Sequence, residues 1–186
     1  MRVISGTFKG KTIPSPPGNA TRPTADIIKE SIFSVLEHHT TIESSIVLDL
    51  CAGTGQMSWE ALSRGAQHAT LVDASVIMCK HLRQVAQEFG VNERVTIIRS
   101  EATAFAIHGQ TRDANIIFID PPYALKLCNT IALSLSTSPI RLVGTIGVFE
   151  HGDQEAMLDL PKTTTLWHRE RGGTVVDILR YDSPLP

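Results

Sequence analysis

Apolar and polar positions along this chain follow two periods, and the switches between them divide it into strands and helices. Short apolar runs occur at Ile46–Leu50, Ala69–Asp73, Val95–Ile98 and Ile116–Ile119. Each is too short for a helix and rich enough in branched aliphatic residues to read as a core strand. Between them the period lengthens. Ile27, Ile28, Ile32, Val35 and Leu36 recur near helical spacing behind Thr24, a favoured N-cap, and Val76–Phe89 reads as a second helix. A helix through Trp59, Ala61 and Leu62 follows the first strand, and another spans Leu125–Ser136. After Pro139 come a strand from Leu142-Val143 and Thr145–Glu150, then Thr164–His168 and Thr174–Tyr181, these last two joined by the charged Gly-Gly turn Arg169–Gly173. This alternation predicts an α/β fold: a parallel sheet ending in an antiparallel strand.

The first residues follow a different pattern. Arg2–Gly6 and Gly10–Ile13 read as two short strands around a turn, a small N-terminal β-hairpin, before Pro14, Pro16, Pro17 and Gly18 break the chain. Four basic residues, Arg2, Lys9, Lys11 and Arg22, precede the first acid at Asp26. Basic side chains set between apolar ones suit contact with phosphates, so this arm is the candidate RNA-binding element; a solvated terminal arm is the plainer alternative. The division expected is residues 1–24 for hairpin and substrate loop, and 25–186 for the main domain.

Bulk composition narrows the class further. A chain of 186 residues with 42% apolar and 19% charged positions is long enough for one well-packed domain. No membrane span and no leader sequence are expected, which makes the cytoplasm the expected compartment. The three cysteines, Cys51, Cys79 and Cys128, and the seven histidines are dispersed. Neither a disulfide framework nor a metal site is expected from them. A net charge of −2 argues against a strong, diffuse nucleic-acid binder.

The candidate chemistry collects at strand ends. Asp120-Pro121-Pro122-Tyr123 follows the Ile116–Ile119 strand, and the two prolines stiffen the loop. Open α/β sheets bind ligands at that edge. An Asp carboxylate and a Pro121 carbonyl form an acceptor pair beside a flat ring, which suits an exocyclic amine on a planar base. A capping Asp with a packed Tyr is the competing reading. Asp49-Leu50-Cys51-Ala52-Gly53-Thr54-Gly55 adds a glycine turn after the first strand. It lacks the third glycine of a pyrophosphate-seating turn, and Asp49 would repel a phosphate. A cationic, amine-bearing ligand fits better, and S-adenosylmethionine carries an ammonium, a sulfonium and no phosphate. Asp73, 18 residues after Gly55, ends the second strand with Ala74 behind it. There an acid grips two ribose hydroxyls, or caps the helix that follows. Glu101-Ala102, after the third strand, would border an adenine, or Glu101 is a solvated loop acid.

Taken together, these motifs resemble those of the bacterial small-subunit (16S) ribosomal RNA guanine-N2-methyltransferases. That family belongs to the class I S-adenosylmethionine-dependent superfamily. The resemblance runs nearly end to end, through Arg2–Gly6 with Gly10-Lys11, Arg22-Pro23-Thr24 with Asp26, Asp49–Gly55, Glu60–Ala66, Val72-Asp73 and Asp120–Tyr123. It implies a Rossmann-like, mostly parallel seven-stranded sheet. By that resemblance S-adenosyl-L-methionine is the cofactor, lined by Asp49, Cys51, Ala52, Gly53, Thr54, Gly55 and Asp73. Asp120 and Tyr123 would handle the base with Pro121, and the Arg22–Thr24 loop would close over the site, bringing Thr24 to the cofactor. The implied partner is small-subunit ribosomal RNA, within an assembling 30S particle and met by a monomer. Cys51 stands where Phe is more usual, Glu101 where Asp is common, and Gln56-Met57-Ser58-Trp59 where small apolar residues are expected. An adenine-N6 DNA or RNA methyltransferase and a catalytically silent ribosome-assembly factor of the same fold remain open alternatives.

Overall fold

A computed structural model describes residues 1–14, 23–108, 113–136 and 142–182, with the side chains of residues 23–25 and 136 outside the description. The elements in chain order are α1 (Pro23–His39), β1 (Ile46–Asp49), α2 (Gln56–Ser63), β2 (His68–Asp73), α3 (Val76–Phe89), β3 (Val95–Arg99), α4 (Ala102–His108), β4 (Ile116–Ile119), α5 (Cys128–Ser136), β5 (Ile146–Gly152), β6 (Thr163–Arg171) and β7 (Thr174–Tyr181). The seven strands form one sheet in the order β3-β2-β1-β4-β5-β7-β6. The first five are parallel, whereas β7 runs antiparallel to both β5 and β6. The order reverses direction at β1 and β4, where open sheets of this kind leave a crevice at their carboxyl ends.

Strand residues alternate between two apolar layers. Ile116 and Phe118 face one side with Val47, Leu71, Ile146 and Val148, against Ile32 and Leu36 of α1 and Leu82 and Val85 of α3. Ile117 and Ile119 face the other with Leu48, Val72 and Phe149, against Phe105 of α4 and Ile131 and Leu135 of α5. A sheet covered on both faces explains why the central strands read as continuous apolar runs. No described helix is long and apolar enough to cross a membrane.

Several boundaries move from those the sequence predicts, each for a local reason. Helix α1 begins at Pro23 rather than behind a Thr24 cap, because a first-turn proline lacks only an N–H that has no helical partner. Asp73 does not cap α3: Ser75 does, its Oγ accepting from the Met78 N–H at 3.3 Å. The chain after β4 makes a single tight turn over Tyr123–Leu125, and Lys126 at φ 48° interrupts it, so α5 starts only at Cys128. Leu142–Gly144 is a turn, with Gly144 at φ 82°, and β5 instead extends to Gly152 by pairing with β7. The expected N-terminal hairpin reduces to one antiparallel bridge, Arg2 with Thr12.

That short arm is fastened by the helix beneath it. Glu60 of α2, fully buried, accepts from the Ile4 and Ser5 N–H groups at 2.7 and 2.9 Å and from Arg64 Nε at 2.9 Å. Ser63 Oγ accepts from the Phe8 N–H and donates to the Ser5 carbonyl. Lys29 of α1 donates to the Arg2 carbonyl at 2.6 Å and lies 3.7 Å from Glu60; burial pushes its ammonium pKa down, partly offset by Glu60 and Asp26. A Cβ at Gly6 would meet the Ser63 carbonyl oxygen at 1.9 Å, so only glycine lets the arm approach this closely. Val3, Phe8 and Ile13 then join the main core, and the expected 24/25 division falls inside α1. The Glu60–Ala66 segment is therefore the arm's docking strip.

Removing the Glu60 carboxylate leaves two backbone donors unpaired and takes from buried Lys29 one of its two carboxylate neighbours. Glu60→Ala should cost about 3–5 kcal/mol in urea unfolding, whereas Glu37→Ala, at the exposed end of the Arg64 pair, should cost under about 1 kcal/mol. Equal costs would contradict the assignment of Glu60 as the arm's anchor.

Candidate functional site

A cavity of about 510 Å³ opens at the carboxyl edge of the sheet, within the range of about 300–1,000 Å³ that accommodates a drug-sized ligand. Its wall comes from Leu50, Cys51 and Gly53 after β1, Asp73–Ser75 after β2, Ser100–Thr103 after β3, Asp120–Tyr123 with Leu125 and Leu127 after β4, and Glu150 of β5. Each of the five parallel strands carries an acid close to its carboxyl end: Asp49, Asp73, Glu101, Asp120 and Glu150. Four of these five, all but Asp49, line the cavity.

The glycine turn brings the chain back across this edge. Leu50 N–H donates to the Phe118 carbonyl at 2.9 Å and Ala52 N–H to the Val72 carbonyl at 3.0 Å. Gly53 N–H then donates to Asp73 Oδ2 at 2.8 Å, while Ser75 N–H donates to Asp73 Oδ1 at 2.8 Å. Both oxygens of Asp73 are thus oriented, each with a lone pair left over. Gly55 sits at φ 75°, and a Cβ there would come within 2.5 Å of Trp59 Nε1. The Trp59 indole donates to the Thr54 carbonyl at 2.8 Å and packs on Phe89, which accounts for a large residue where small ones were expected. Ala52, Thr54 and Gly55 shape the turn without lining the cavity.

Asp49 also lies off the cavity wall. It is buried beneath the turn, and Ser58 Oγ donates to its Oδ2 at 2.8 Å. Burial pushes its pKa up to about 7, with Asp73 adding to the rise and the Ser58 and Cys51 hydrogen bonds opposing it. Cys51 stands among four of the acids; burial and the charges of Asp49, Asp120, Asp73 and Glu101 keep its thiol protonated.

The Asp120–Tyr123 loop is ordered as its prolines predict. Pro121 is buried, and Pro122 (φ −54°, ψ 120°) turns the chain into the Tyr123–Leu125 turn. Neither the Asp120 carboxylate nor the Pro121 carbonyl accepts a hydrogen bond among the described residues, and both residues line the cavity. The Tyr123 hydroxyl donates to Glu150 Oε1 at 2.8 Å and lies 3.1 Å from Thr174 Oγ1. Its ring covers Gly152, where a Cβ would sit 3.3 Å from the Tyr123 Cβ. Asp120 has its pKa raised well above the carboxylate range, first by burial, then by Glu150 and Asp49. Glu150 is raised by burial, with the Tyr123 hydrogen bond and His151 pulling the other way.

Glu150 was not among the residues singled out from the sequence. The available signal was an acid near the end of a predicted strand, but its relevance depends on β5 lying beside β4, which the sequence pattern leaves open. Ser75, Ser100, Thr103, Leu125 and Leu127 complete the wall unanticipated. Arg22 and the Thr24 side chain lie outside the described residues. Arg2 and Lys9 line a separate groove with Glu30, Glu37 and Arg64, and the Lys11 ammonium sits 5.1 Å above both the Phe8 and Phe89 rings.

Residues 1–180 match the family described as conserved hypothetical protein 95, and the chain belongs to that family. It is 31% identical over 169 residues to the ribosomal RNA small subunit methyltransferase D of Buchnera aphidicola subsp. Acyrthosiphon pisum, covering 90% of this chain and 86% of that one. Among solved structures, the Escherichia coli protein yhhF superposes at a TM-score of 0.87 with 22% identity over 98% of each chain. An RNA methyltransferase from Salinibacter ruber, solved in complex with S-adenosyl-L-homocysteine, superposes at 0.63 with 15% identity over 90% and 96% of the two chains. The fold is the Rossmann-like class I methyltransferase fold.

The raised pKa of Asp49 has a consequence for stability. Its folded-state value lies above the ordinary aspartate value of 3.8, so the fold loses stability as pH rises from about 4 through about 7. Asp49→Asn should therefore be more stable than the unaltered chain at pH 8, by about 2 kcal/mol or more, and no more stable at pH 4. Urea unfolding at the two pH values checks this; an equal difference at both would refute it.

Proposed function

We propose that this member of the family methylates the exocyclic N2 amine of a guanine in small-subunit ribosomal RNA. One observation carries the reading: two open acceptors, Asp120 Oδ and the Pro121 carbonyl, beside an acidic cavity at the sheet's carboxyl edge. The ribosomal RNA methyltransferase named among its relatives and the S-adenosyl-L-homocysteine complex of the same fold support it. The cofactor is S-adenosyl-L-methionine, which when bound supplies a methyl group on a sulfonium and leaves as a neutral thioether.

The chain's own residues do the rest. Asp73 offers the two ribose hydroxyls the lone pairs that Gly53 and Ser75 leave free, and Glu101 with Ala102 borders the adenine. Cys51 and Gly53 bring backbone against the cofactor. Asp49 adds negative charge from beneath, and Asp120 adds it from the wall, both suited to a ligand with an ammonium and a sulfonium.

A guanine amine is a poor nucleophile because its lone pair is delocalised into the ring. Asp120 Oδ and the Pro121 carbonyl accept its two N–H groups and turn the lone pair toward the methyl group, and such positioning supplies much of the rate. As the C–N bond forms, the nitrogen gains positive charge, which the fixed Asp120 carboxylate stabilises; a proton then leaves the nitrogen for a carboxylate or water. Tyr123 stacks on the base, which has left its helix to reach the pocket. Arg2, Lys9, Lys11 and Arg22 meet RNA phosphates. With a net charge of −2, the chain depends on the proteins of an assembling 30S particle for part of its docking, and it acts as a cytoplasmic monomer.

The test is incubation with methyl-labelled S-adenosyl-L-methionine and three acceptors: protein-free small-subunit RNA, isolated small subunits, and duplex DNA. Label in a guanine amine of the RNA or the subunits is expected; label confined to DNA adenine would replace the reading with the N6 alternative. Asp120→Ala should lower the rate by about 100-fold or more while cofactor binding persists. Undiminished transfer by that variant would remove Asp120 from its role.

A further inference from the structure

We propose that Glu150 accepts the N1–H of the target guanine, so that the Asp120–Glu150 pair selects guanine and rejects adenine. The inference rests on the guanine-amine reading above and deepens it from an amine to an identified base edge.

The geometry comes from the sheet. In the β4–β5 ladder Ile119 pairs with Phe149, so the next residues, Asp120 just past β4 and Glu150 within β5, are neighbours across the two strands. Both line the cavity with Pro121 and Tyr123. Glu150 is held in place: its Oε1 takes the Tyr123 hydroxyl at 2.8 Å, and that hydroxyl also meets Thr174. Its Oε2 accepts no hydrogen bond among the described residues and so remains available to a ligand.

The chemistry of the base supplies those donors. Guanine presents the N2 amine and the adjacent N1–H on one edge, all donors. Adenine presents an amine beside the N1 lone pair. With Asp120 and the Pro121 carbonyl on the N2 hydrogens, the N1–H needs one more acceptor on the same side, where Glu150 stands. A carboxylate facing the N1 lone pair of adenine would be repelled, and a site built around a donor discriminates strongly against an analogue lacking it.

A plainer role is possible on the same contacts, namely that Glu150 only anchors Tyr123. The two roles separate with 2-aminopurine, which keeps the amine at C2 but carries a lone pair at N1. Small-subunit RNA is prepared with guanine or 2-aminopurine at the mapped target, and labelled-methyl transfer is measured as kcat/KM on each. The unaltered chain should favour guanine by about 100-fold or more. In Glu150→Gln the amide can donate to N1, so the preference should shrink to under about 10-fold. Tyr123→Phe breaks the anchor but keeps the carboxylate, and should retain the preference whatever its absolute rate.

Comparable transfer to both bases by the unaltered chain would overturn the inference without recourse to any variant. So would a Glu150→Gln enzyme slowed equally on both. If the unaltered chain labels no guanine amine at all, the underlying reading fails and takes this inference with it. Loss of preference in Glu150→Gln, with guanine labelled by the unaltered chain, supports both.

Discussion

Glu101, Asp73, Asp49, Asp120 and Glu150 succeed one another in that spatial order across the carboxyl edge of five parallel strands. Burial strips hydration from Asp49, Asp120 and Glu150, and neighbouring carboxylates add repulsion at Asp49 and Asp120, so these three resist ionising. The raised pKa values of Asp49, Asp120 and Glu150 are the direct result. What relieves the strain is a ligand bringing positive charge and N–H donors, and what aggravates it is a phosphate. The choice between a nucleotide site and a site for a cationic nucleoside follows from this row of charges rather than from the glycine turn, which many folds share.

Around that edge, the rest of the molecule acts to hold backbone close and side chains still. Gly53 and Ser75 orient Asp73, and Trp59 closes the Thr54–Gly55 turn from below. Gly152 leaves room for the Tyr123 ring, whose hydroxyl fixes Glu150. The N-terminal arm is fastened by the buried Glu60 and Ser63 and guarded by Gly6, so its basic residues are presented from a rigid mount. The glycine turn thus shapes the cavity edge, while the buried ion network fastens the arm beside a separate groove.

Much of this was legible in the sequence because the signals are local. Apolar runs ending in Asp49, Asp73 and Asp120 identified three strands and the acids that terminate them, and Val76–Phe89 was bounded correctly by its own periodicity. Other features were illegible for equally physical reasons. The Glu60–Ala66 run stood out as a motif, but that it grips an arm more than 50 residues away is a tertiary fact. Asp49 was expected at the ligand; it lies beneath the turn, where Ser58 Oγ of α2 donates to its carboxylate. Glu150 gained its importance only when β5 fell beside β4. The pairing partner, not the residue, carried that information.

The most direct test of this account is calorimetric titration of the protein with S-adenosyl-L-methionine at pH 7, in two buffers of different ionisation enthalpy, with ATP as the comparison. If the row of strand-end acids defines the site, the cationic ligand binds and protons leave the protein as Asp49, Asp120 and Glu150 ionise, while ATP does not bind measurably. Binding without proton release, or ATP binding as tightly, would contradict it.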